Sequence, residues 1–242
     1  MGNEKRGERV RYGAARVGAR EWVDENELYE ARVWGEDPAR RARTAFRPPF
    51  FYGIRKRIKD LLFSVLLLAL LAFPMLLIAV WVRCDSSGPA IFRQRRVGRG
   101  GAIFTIYKFR TMRTSAPRDC PSAELSGEKR AFCLTRAGRV LRRSGLDELP
   151  QLWNILLGQM SFVGPRPVIP EERELIVLRT RLGALSVRPG LTGLAQVSGR
   201  DNCTAQEKAR LDALYAQTMS PAIDRAILRM TVRTVLSGVG CN

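Results

Sequence analysis

Residues 61–82 read LLFSVLLLALLAFPMLLIAVWV and contain no charged side chain. A helix needs about 20 apolar residues to cross the hydrocarbon core of a bilayer, so this stretch is predicted to be a membrane helix. Pro74 removes one backbone hydrogen bond and crowds the preceding turn, which predicts a kink. Basic residues flank both ends, with Arg55 and Lys59 before the stretch and Arg83 after it, so the flanks favour neither orientation of a straight span. A helix that enters the membrane, bends and returns would place both flanks on one side, and both topologies stay open here.

The net charge and the absence of histidine restrict the kinds of partner and of catalytic site that the chain can have. The 242-residue chain has 41 Lys and Arg against 23 Asp and Glu, a net charge of +18. Nearly all of this excess follows residue 50, which indicates anionic partners such as phosphates or a membrane surface. The absence of histidine excludes His-based acid–base catalysis, Ser/His and Cys/His dyads and His-ligated metal sites. The five cysteines are far apart and none has CxxC spacing, so neither a disulfide framework nor a zinc site is expected.

Composition divides the chain into three parts. Residues 1–50 form a polar extension rich in Arg and Glu, with a possible short helix at 21–33. Residues 51–88 hold the predicted membrane helix and its flanks, and residues 89–242 form the main domain, in which the candidate catalytic residues described below lie.

A hairpin and several short helices are predicted within that domain. Residues 90–93 and 103–107 flank a turn rich in Gly and Arg, which is typical of a β-hairpin. The stretch 188–193, with one proline and two glycines, is predicted to be irregular. Helices are predicted at 135–143, at 149–157, from the capping box of Thr204 and Glu207 toward Met219, and at 221–236.

The final predicted helix carries a basic stripe. Arg225, Arg229 and Arg233 recur every four residues, and apolar side chains lie elsewhere around the helix. A helix lying on an anionic membrane surface has this pattern. An ordinary packed helix with a solvated basic face has it as well, and both interpretations stay open.

Two adjacent carboxylates, Asp147 and Glu148, lie between apolar residues just before a predicted helix; we call them the carboxylate dyad. The positive end of a helix favours an ionised carboxylate and attracts phosphate. Carboxylate oxygens also suit Mg²⁺, which takes few protein ligands and leaves room for substrate phosphates. Simple capping of the helix by acidic residues would give the same pattern. Candidate phosphate-binding cations elsewhere in the domain are Lys108, Arg110, Arg142, Arg143, Arg166, Arg188 and Arg200.

Four stretches carry a resemblance to a known family. They are 103–112 (IFTIYKFRTM), 146–154 (LDELPQLWN), 160–167 (MSFVGPRP) and 188–200 (RPGLTGLAQVSGR). Their order and spacing resemble those of the bacterial sugar transferases, the monotopic phosphoglycosyl transferases that act on polyprenol phosphate. The resemblance covers about residues 52–239.

The resemblance implies a fold and a location. The fold is α+β: a mostly helical monotopic membrane protein with a re-entrant membrane helix, a short β-hairpin and amphipathic surface helices. In the family the membrane helix is broken near a proline, here Pro74. The implied location is the cytoplasmic face of the bacterial inner membrane.

The resemblance also implies a reaction. The family transfers a sugar-1-phosphate from a UDP-sugar to undecaprenyl phosphate, depends on Mg²⁺, releases UMP and begins the synthesis of a surface glycan. Asp147 matches the nucleophile that forms a covalent phospho-sugar, and Glu148 matches the residue that helps hold the metal at the dyad. Lys108, Arg166 and Arg200 match basic residues that bind phosphate and form the site.

Two positions depart from the family pattern. Phe73 stands where a serine often precedes the proline; serine can bond the carbonyl that proline frees, and phenylalanine cannot. Leu194 stands where tryptophan often follows Thr-Gly. Two other functions are compatible with the residues: a membrane-bound glycosyltransferase that releases UDP, and a non-catalytic basic membrane scaffold of polysaccharide assembly. Nucleic acid is not expected as a partner.

Overall fold

The computed structural model describes residues 50–116, 133–198 and 204–237. The predicted N-terminal helix at 21–33 and Arg200 lie outside these ranges. Within them the fold is α+β and mostly helical, as predicted, with one long apolar helix and one antiparallel hairpin.

Helix α1, Phe50–Asp85, is the long apolar helix. It is long and apolar enough to cross a membrane, and almost none of its apolar stretch is buried within the protein. Pro74 lies inside the helix, which continues unbroken to Asp85. A bend at Pro74 therefore stays a prediction. Phe73 points outward with 68% of its surface exposed, which suits contact with lipid.

Both ends of α1 contact the same domain. Near the start, the Tyr52 hydroxyl and the Lys56 ammonium each donate to Asp224 Oδ2 at 2.6 Å. At the other end, Asp85 Oδ2 accepts a hydrogen bond of 2.9 Å from the backbone N–H of Ala137. The domain therefore binds α1 at positions more than 30 residues apart.

Asp224 is a shared acceptor. Besides its two donors on α1, it accepts a 2.8 Å hydrogen bond at Oδ1 from the Tyr215 hydroxyl. Tyr215 is buried, and its hydroxyl oxygen also lies 3.0 Å from the carbonyl oxygen of Val163. One carboxylate thus joins the membrane helix to two elements of the domain.

The predicted hairpin is confirmed and is longer than predicted. Strand β1, Ile91–Val97, pairs antiparallel with β2, Ile103–Phe109, with Ile91 opposite Phe109. Lys108 therefore lies near the end of β2. Buried Ile106 on β2 packs with residues of α1 and with three buried residues of the stretch 152–160; the set is Leu67, Leu68, Leu71, Leu152, Ile155 and Met160.

The predicted short helices form close to their predicted limits. The side chain of Thr135 accepts a hydrogen bond from the backbone N–H of Gly138 and so begins the first of them. The Thr204–Glu207 capping box is present as predicted. These helices are α2, Arg136–Ser144; α3, Gln151–Leu156, after a 3₁₀ turn at Leu146–Glu148; α6, Ala205–Thr218; and α7, Pro221–Ser237.

A parallel strand pair was not predicted. Strand β3, Ser161–Val163, pairs with β4, Gly190–Thr192, so the prediction of irregular chain at 188–193 is wrong for β4. The pairing is possible because Gly164 and Gly190 lie backbone to backbone, and a Cβ on either would overlap the other segment. Helices α4, Arg173–Arg181, and α5, Leu194–Ser198, were also not predicted.

Leu194, one of the two departures from the family pattern, belongs to the interior. Its partly buried side chain packs against a cluster that includes Val163, Tyr215 and Ile227. Its contacts with this cluster account for an apolar residue at the start of α5.

Candidate active site

The dyad lies in a tight connection between α2 and α3. Gly145 ends α2 with φ of 70°, a conformation that costs glycine little and other residues more. The 3₁₀ turn Leu146–Glu148 follows directly. Because the connection is so short, the two carboxylates are held by helices on both sides.

Glu148 binds the two basic residues that the resemblance singled out within the described chain. Lys108 Nζ lies 2.6 Å from Glu148 Oε1, and Arg166 Nη2 lies 3.1 Å from the same oxygen. Burial opposes ionisation of Glu148, but the charges of Lys108 and Arg166 outweigh it and lower its pKa to about 2. Glu148 is therefore an anion at physiological pH, and it brings Lys108 and Arg166 together.

Asp147 has a different environment. It is buried, and burial raises the pKa of its carboxyl group, against the attraction of Lys108 and with a further increase from Glu148. Neighbouring carboxyl groups whose environments push their pKa values apart typically have different roles in catalysis. The two carboxyl groups thus differ: Glu148 binds two cations and has a lowered pKa, and Asp147 is buried with a raised pKa.

Of the two arginines that end α2, Arg142 acts on the dyad. Its positive charge lowers the pKa of Asp147 against the effect of burial. Its Nε donates to Thr111 Oγ1 at 3.0 Å. Arg143, which the sequence also put forward for phosphate binding, has an exposed side chain on the outer side of α2.

Arg110, which the sequence put forward for phosphate binding, lies beside the residues that follow α1. Its buried guanidinium donates to the carbonyl and hydroxyl oxygens of Ser86, at 2.6 and 2.9 Å, and to the carbonyl of Ser87. These groups follow the C-terminal end of α1. Carbonyls at a helix end lack intrahelical donors, and arginine satisfies them. The contacts of Arg110 thus stabilise the end of the membrane helix, and they explain its burial without a phosphate ligand.

Arg188 and Arg57 bind the C-terminal end of α3. Arg188 Nε donates to the carbonyl of Gly158 at 2.9 Å, and Arg57 donates to the carbonyls of Ile155 and Leu156 at 2.6 and 3.0 Å. Because α3 follows the dyad directly, this contact ties the dyad to the membrane helix that carries Arg57.

The loop that carries Arg166 is held through its backbone. Arg179 Nη1 donates to the carbonyl of Arg166 at 2.8 Å, and Arg96 Nη1 donates to the carbonyl of Pro167 at 3.3 Å. Arg179 in turn forms a buried ion pair with Asp212, with Nη2 2.6 Å from Oδ2. The sequence gives no sign of this support, since nothing in the local pattern around Arg179 indicates that its side chain is buried.

We predict that Arg179→Met lowers stability strongly. The change leaves Asp212 buried without its cation, and loss of one partner of a buried pair costs about 3–5 kcal/mol. Urea unfolding in detergent should show a lower midpoint than in the wild type. Arg173→Met, at an exposed position of the same helix, is the matched control and should leave the midpoint unchanged.

A double variant separates the effect of Arg179 on the stability of the fold from its effect on the position of Arg166. Arg179→Met with Asp212→Leu removes both charges and should recover much of the lost stability. The carbonyl of Arg166 still lacks its donor in this variant, so activity should stay low. Recovery of full activity along with stability would show that Arg179 does not position Arg166.

Asn154 is another residue of the site region that the sequence patterns did not predict. Its fully buried side chain donates to the carbonyl of Thr105 at 2.7 Å and accepts from the N–H of Tyr107 at 3.1 Å. These bonds fix α3 beside β2, the strand that carries Lys108. Its place in a mainly apolar helical stretch (LPQLWNIL), where Gln151 is the one other polar residue, is the only sequence signal for it.

Comparison with known proteins shows which family the chain belongs to. The sequence profile described as "Bacterial sugar transferase" matches residues 51–238, which is most of the chain. The chain belongs to this family. The resemblance stated from the sequence motifs is thereby confirmed, and the protein is an enzyme of the transferase class.

Curated relatives of this sugar transferase differ in the sugar that their names specify. A UDP-glucose:undecaprenyl-phosphate glucose-1-phosphate transferase of Caulobacter vibrioides is 41% identical over 199 residues, 78% of this chain and 73% of the relative. An Aeromonas hydrophila UDP-N-acetylgalactosamine-undecaprenyl-phosphate N-acetylgalactosaminephosphotransferase is 37% identical, covering 80% of this chain and 46% of the relative. A Salmonella typhimurium undecaprenyl-phosphate galactose phosphotransferase is 37% identical, covering 75% and 40%.

The donor atoms of the dyad in this sugar transferase fit a magnesium ion. Within the described residues there is no group of three or more Asp, Glu, Cys or His side chains that could enclose a metal ion. Mg²⁺ does not need such a group, because it commonly takes one or two carboxylates and completes its coordination with water and substrate phosphate. Asp147 and Glu148 provide two adjacent carboxylates of the required kind.

Proposed function

We propose that this sugar transferase moves a sugar-1-phosphate from a UDP-sugar to undecaprenyl phosphate, releases UMP and begins the synthesis of a surface glycan. The observation that carries the proposal is the dyad, in which Glu148 binds Lys108 and Arg166 beside a buried Asp147. Cations grouped at a carboxylate suit a diphosphate donor, since they can offset charge on phosphoryl groups. The names of the three relatives support the same donor and acceptor classes.

The reaction proceeds in two displacements. A carboxylate oxygen of Asp147 attacks the phosphorus next to the sugar, the bond from that phosphorus to the UMP oxygen breaks, and UMP leaves with the bonding electrons. The sugar phosphate remains on Asp147 as an acyl phosphate. An oxygen of the lipid phosphate then attacks the same phosphorus, and the bond to Asp147 breaks. Splitting the transfer lets a soluble donor and a membrane lipid use one nucleophile in turn.

The other residues act on charge and orientation. Lys108 and Arg166 orient the donor diphosphate and offset its charge as UMP departs. Mg²⁺, held by Glu148 and Asp147, would supply further positive charge at the diphosphate. The positive charge of Arg142 acts on Asp147, and the same charge would act on a phosphoryl group held there. Arg200, which lies outside the described residues, keeps its proposed phosphate-binding role from the family motif alone.

The proposed location is the cytoplasmic face of the inner membrane, with α1 entering and leaving on that face. The contacts at both ends of α1 support this topology, because one polar domain binds Lys56 and Asp85 alike. A straight crossing would separate these ends by a hydrocarbon core about 30 Å thick. The basic flanks of α1 support the same side for both ends.

Cysteine labelling tests this topology. Cysteines introduced at Lys59 and at Ser87, in a background without the native cysteines, should both resist a membrane-impermeant thiol reagent applied from the periplasmic side. Both positions are exposed in the protein, so both should react once the membrane is permeabilised. Labelling of only one before permeabilisation would indicate a true span.

The nucleotide product tests the reaction. Isolated membranes containing the enzyme should release UMP from one member of a panel of UDP-sugars when undecaprenyl phosphate is present. Release of UDP would instead identify a glycosyltransferase that moves the sugar without its phosphate. If membranes of the Asp147→Asn variant support the same glycan output as the wild type, the scaffold function replaces the enzymatic one.

A further inference from the structure

The side chain of Asn154 binds the edge of β2 as a neighbouring strand would. Strand β2 pairs with β1 along one edge. On the other edge, the carbonyl of Thr105 and the N–H of Tyr107 point the same way, and a parallel strand would bond both groups. Asn154 Nδ2 donates to the first at 2.7 Å, and Asn154 Oδ1 accepts from the second at 3.1 Å. One carboxamide therefore satisfies two backbone groups that a third strand would otherwise satisfy.

The carboxamide of Asn154 is held in one orientation. Its second N–H donates to Gln159 Oε1 at 2.7 Å, so both N–H donors of the group are used. A reversed amide would place its oxygen against the carbonyl of Thr105 and its nitrogen against the N–H of Tyr107. The side chain is fully buried, and buried polar groups without partners cost free energy. The contact with β2 is therefore specific in its geometry as well as in its position.

This contact sets the register between α3 and β2. Lys108 follows the anchored Tyr107 by one residue, and Glu148 precedes Asn154 by six. Lys108 Nζ and Glu148 Oε1 are 2.6 Å apart. A shift of β2 by one residue, about 3.3 Å, would turn the side chain at 108 to the other face of the strand. The ion pair at the dyad therefore depends on the register of β2.

The backbone of Asn154 contacts the segment that leads to Arg166. Its carbonyl accepts hydrogen bonds from the N–H groups of Gln159 and Met160, at 3.0 and 3.2 Å. Strand β3 begins at the next residue and precedes the loop of Arg166, whose Nη2 lies 3.1 Å from Glu148 Oε1. The three segments that meet at Glu148 are thus joined at Asn154. A substitution at 154 keeps the backbone bonds, so it acts mainly on the contact with β2.

We propose that Asn154 is a positioning residue of the active site, whose carboxamide holds β2 in the register that keeps Lys108 on Glu148. Because its side chain is fully buried, Asn154 acts through Lys108 and not on the substrate. The effect of Asn154 on the ion pair does not depend on which reaction the enzyme carries out. Its effect on the rate rests on the proposed function, in which Lys108 orients the donor diphosphate.

Chemical labelling of lysines measures the ion pair without any turnover. The full chain in detergent is treated with a small amount of acetic anhydride, and mass spectrometry gives the acetylation of Lys108 relative to Lys56. Lys56 is a matched reference in the same molecule, because it pairs with Asp224 at 2.6 Å and is buried to a similar degree. Asn154→Leu should raise this ratio several-fold, since a lysine without its counter-charge is more often the neutral amine that the reagent attacks.

Three further variants complete the labelling experiment. Glu148→Gln removes the anion itself and should raise the ratio at least as much as Asn154→Leu. Asn154→Asp keeps nearly the size of the side chain but loses both N–H donors; it should also raise the ratio, so the test does not depend on the folding of one variant. Gln217→Leu, the loss of a carboxamide at an exposed position of α6, should leave the ratio unchanged.

Two labelling results would overturn the proposal. One is a wild-type ratio in whichever of Asn154→Leu and Asn154→Asp is folded. The other is an equal increase in acetylation at Lys108 and Lys56, which would indicate a general loosening of the fold.

Kinetics test whether Asn154 acts through Lys108. With the UDP-sugar and Mg²⁺ but no lipid, Asn154→Leu should slow the release of UMP on the order of 10-fold or more, because a small displacement of a catalytic group lowers the rate steeply. In a Lys108→Met background the same change should have little further effect, since its target is already gone. Equal losses in both backgrounds would show that Asn154 does not act through Lys108. If no UDP-sugar yields UMP, the proposed function fails while the labelling result stands.

Discussion

Asp147→Asn is expected to lower turnover on the order of 10⁴-fold or more, the scale seen when a covalent nucleophile is removed. The amide has nearly the size of the carboxylate but is a poor nucleophile, so the first displacement cannot occur. Because Glu148 still binds Lys108 and Arg166 in this variant, the donor-binding cations should stay in place. The UDP-sugar is therefore expected to bind with little change in affinity.

A reaction without lipid isolates the covalent step. Wild-type enzyme mixed with the correct UDP-sugar and Mg²⁺ should release about one UMP per active site and then stop, as a two-step displacement requires. The stalled protein should be heavier by one phospho-sugar, located by mass spectrometry in the peptide that contains Asp147. Asp147→Asn should release no UMP and gain no mass.

The matched control is Glu174→Gln, a change from acid to amide at an exposed position of α4, which should behave as the wild type. The contrary result is a strict requirement for lipid acceptor before any UMP appears, with a donor confirmed by full turnover. In that case Asp147 acts as a metal ligand or a base, and the transfer occurs in a single displacement.

Glu148→Gln is expected to lower turnover on the order of 10²-fold or more, as for other groups that stabilise charge in the transition state. Glutamine keeps the size of the side chain but removes the anion that holds Lys108 Nζ at 2.6 Å and Arg166 Nη2 at 3.1 Å. Two cations are then left close together without their counter-charge. The proposed magnesium site also loses one of its two negative ligands.

A magnesium titration distinguishes these causes. If Glu148 is a metal ligand, the variant should need a much higher Mg²⁺ concentration for half-maximal rate, and EDTA should abolish wild-type activity. An unchanged Mg²⁺ requirement with a lower maximal rate would assign Glu148 to the positioning of Lys108 and Arg166 alone. Normal wild-type turnover in EDTA would remove the metal from the mechanism.

Local signals in the sequence predicted the helices and the hairpin, whose ends are set by hydrogen bonds between residues a few positions apart. The capping residues Thr135 and Thr204 begin helices where expected, because a side-chain oxygen satisfies free N–H groups within the same turn. The hairpin formed at the predicted place around its turn of glycines and arginines. The dyad was also visible locally, as two carboxylates just before a predicted helix, but its contact with Lys108 was not, since nothing local links two residues 40 positions apart.

Features that depend on distant contacts could not be predicted. The β3–β4 pair needs two glycines from separate stretches to meet, and the periodicity of either stretch alone gives no sign of it. Arg110 was put forward for phosphate binding as one of several cations, beside Lys108 after the hairpin, but the hydrogen-bond partners of its guanidinium follow the end of α1. Arg179 and Asp212 lie on α4 and α6, which are distant in sequence, so no local pattern predicted their ion pair.

The shared carboxylate of Asp224 has a consequence for the order of events during biosynthesis. Its donor Tyr52 lies 172 residues earlier in the chain. At about 5–20 residues per second, a ribosome needs roughly 10–30 s to make the intervening segment. Helix α1 is therefore synthesised well before the acceptor of Tyr52 and Lys56 exists, and its start cannot form these hydrogen bonds until α7 has been made. A nascent chain that ends before Asp224 contains α1 without this contact.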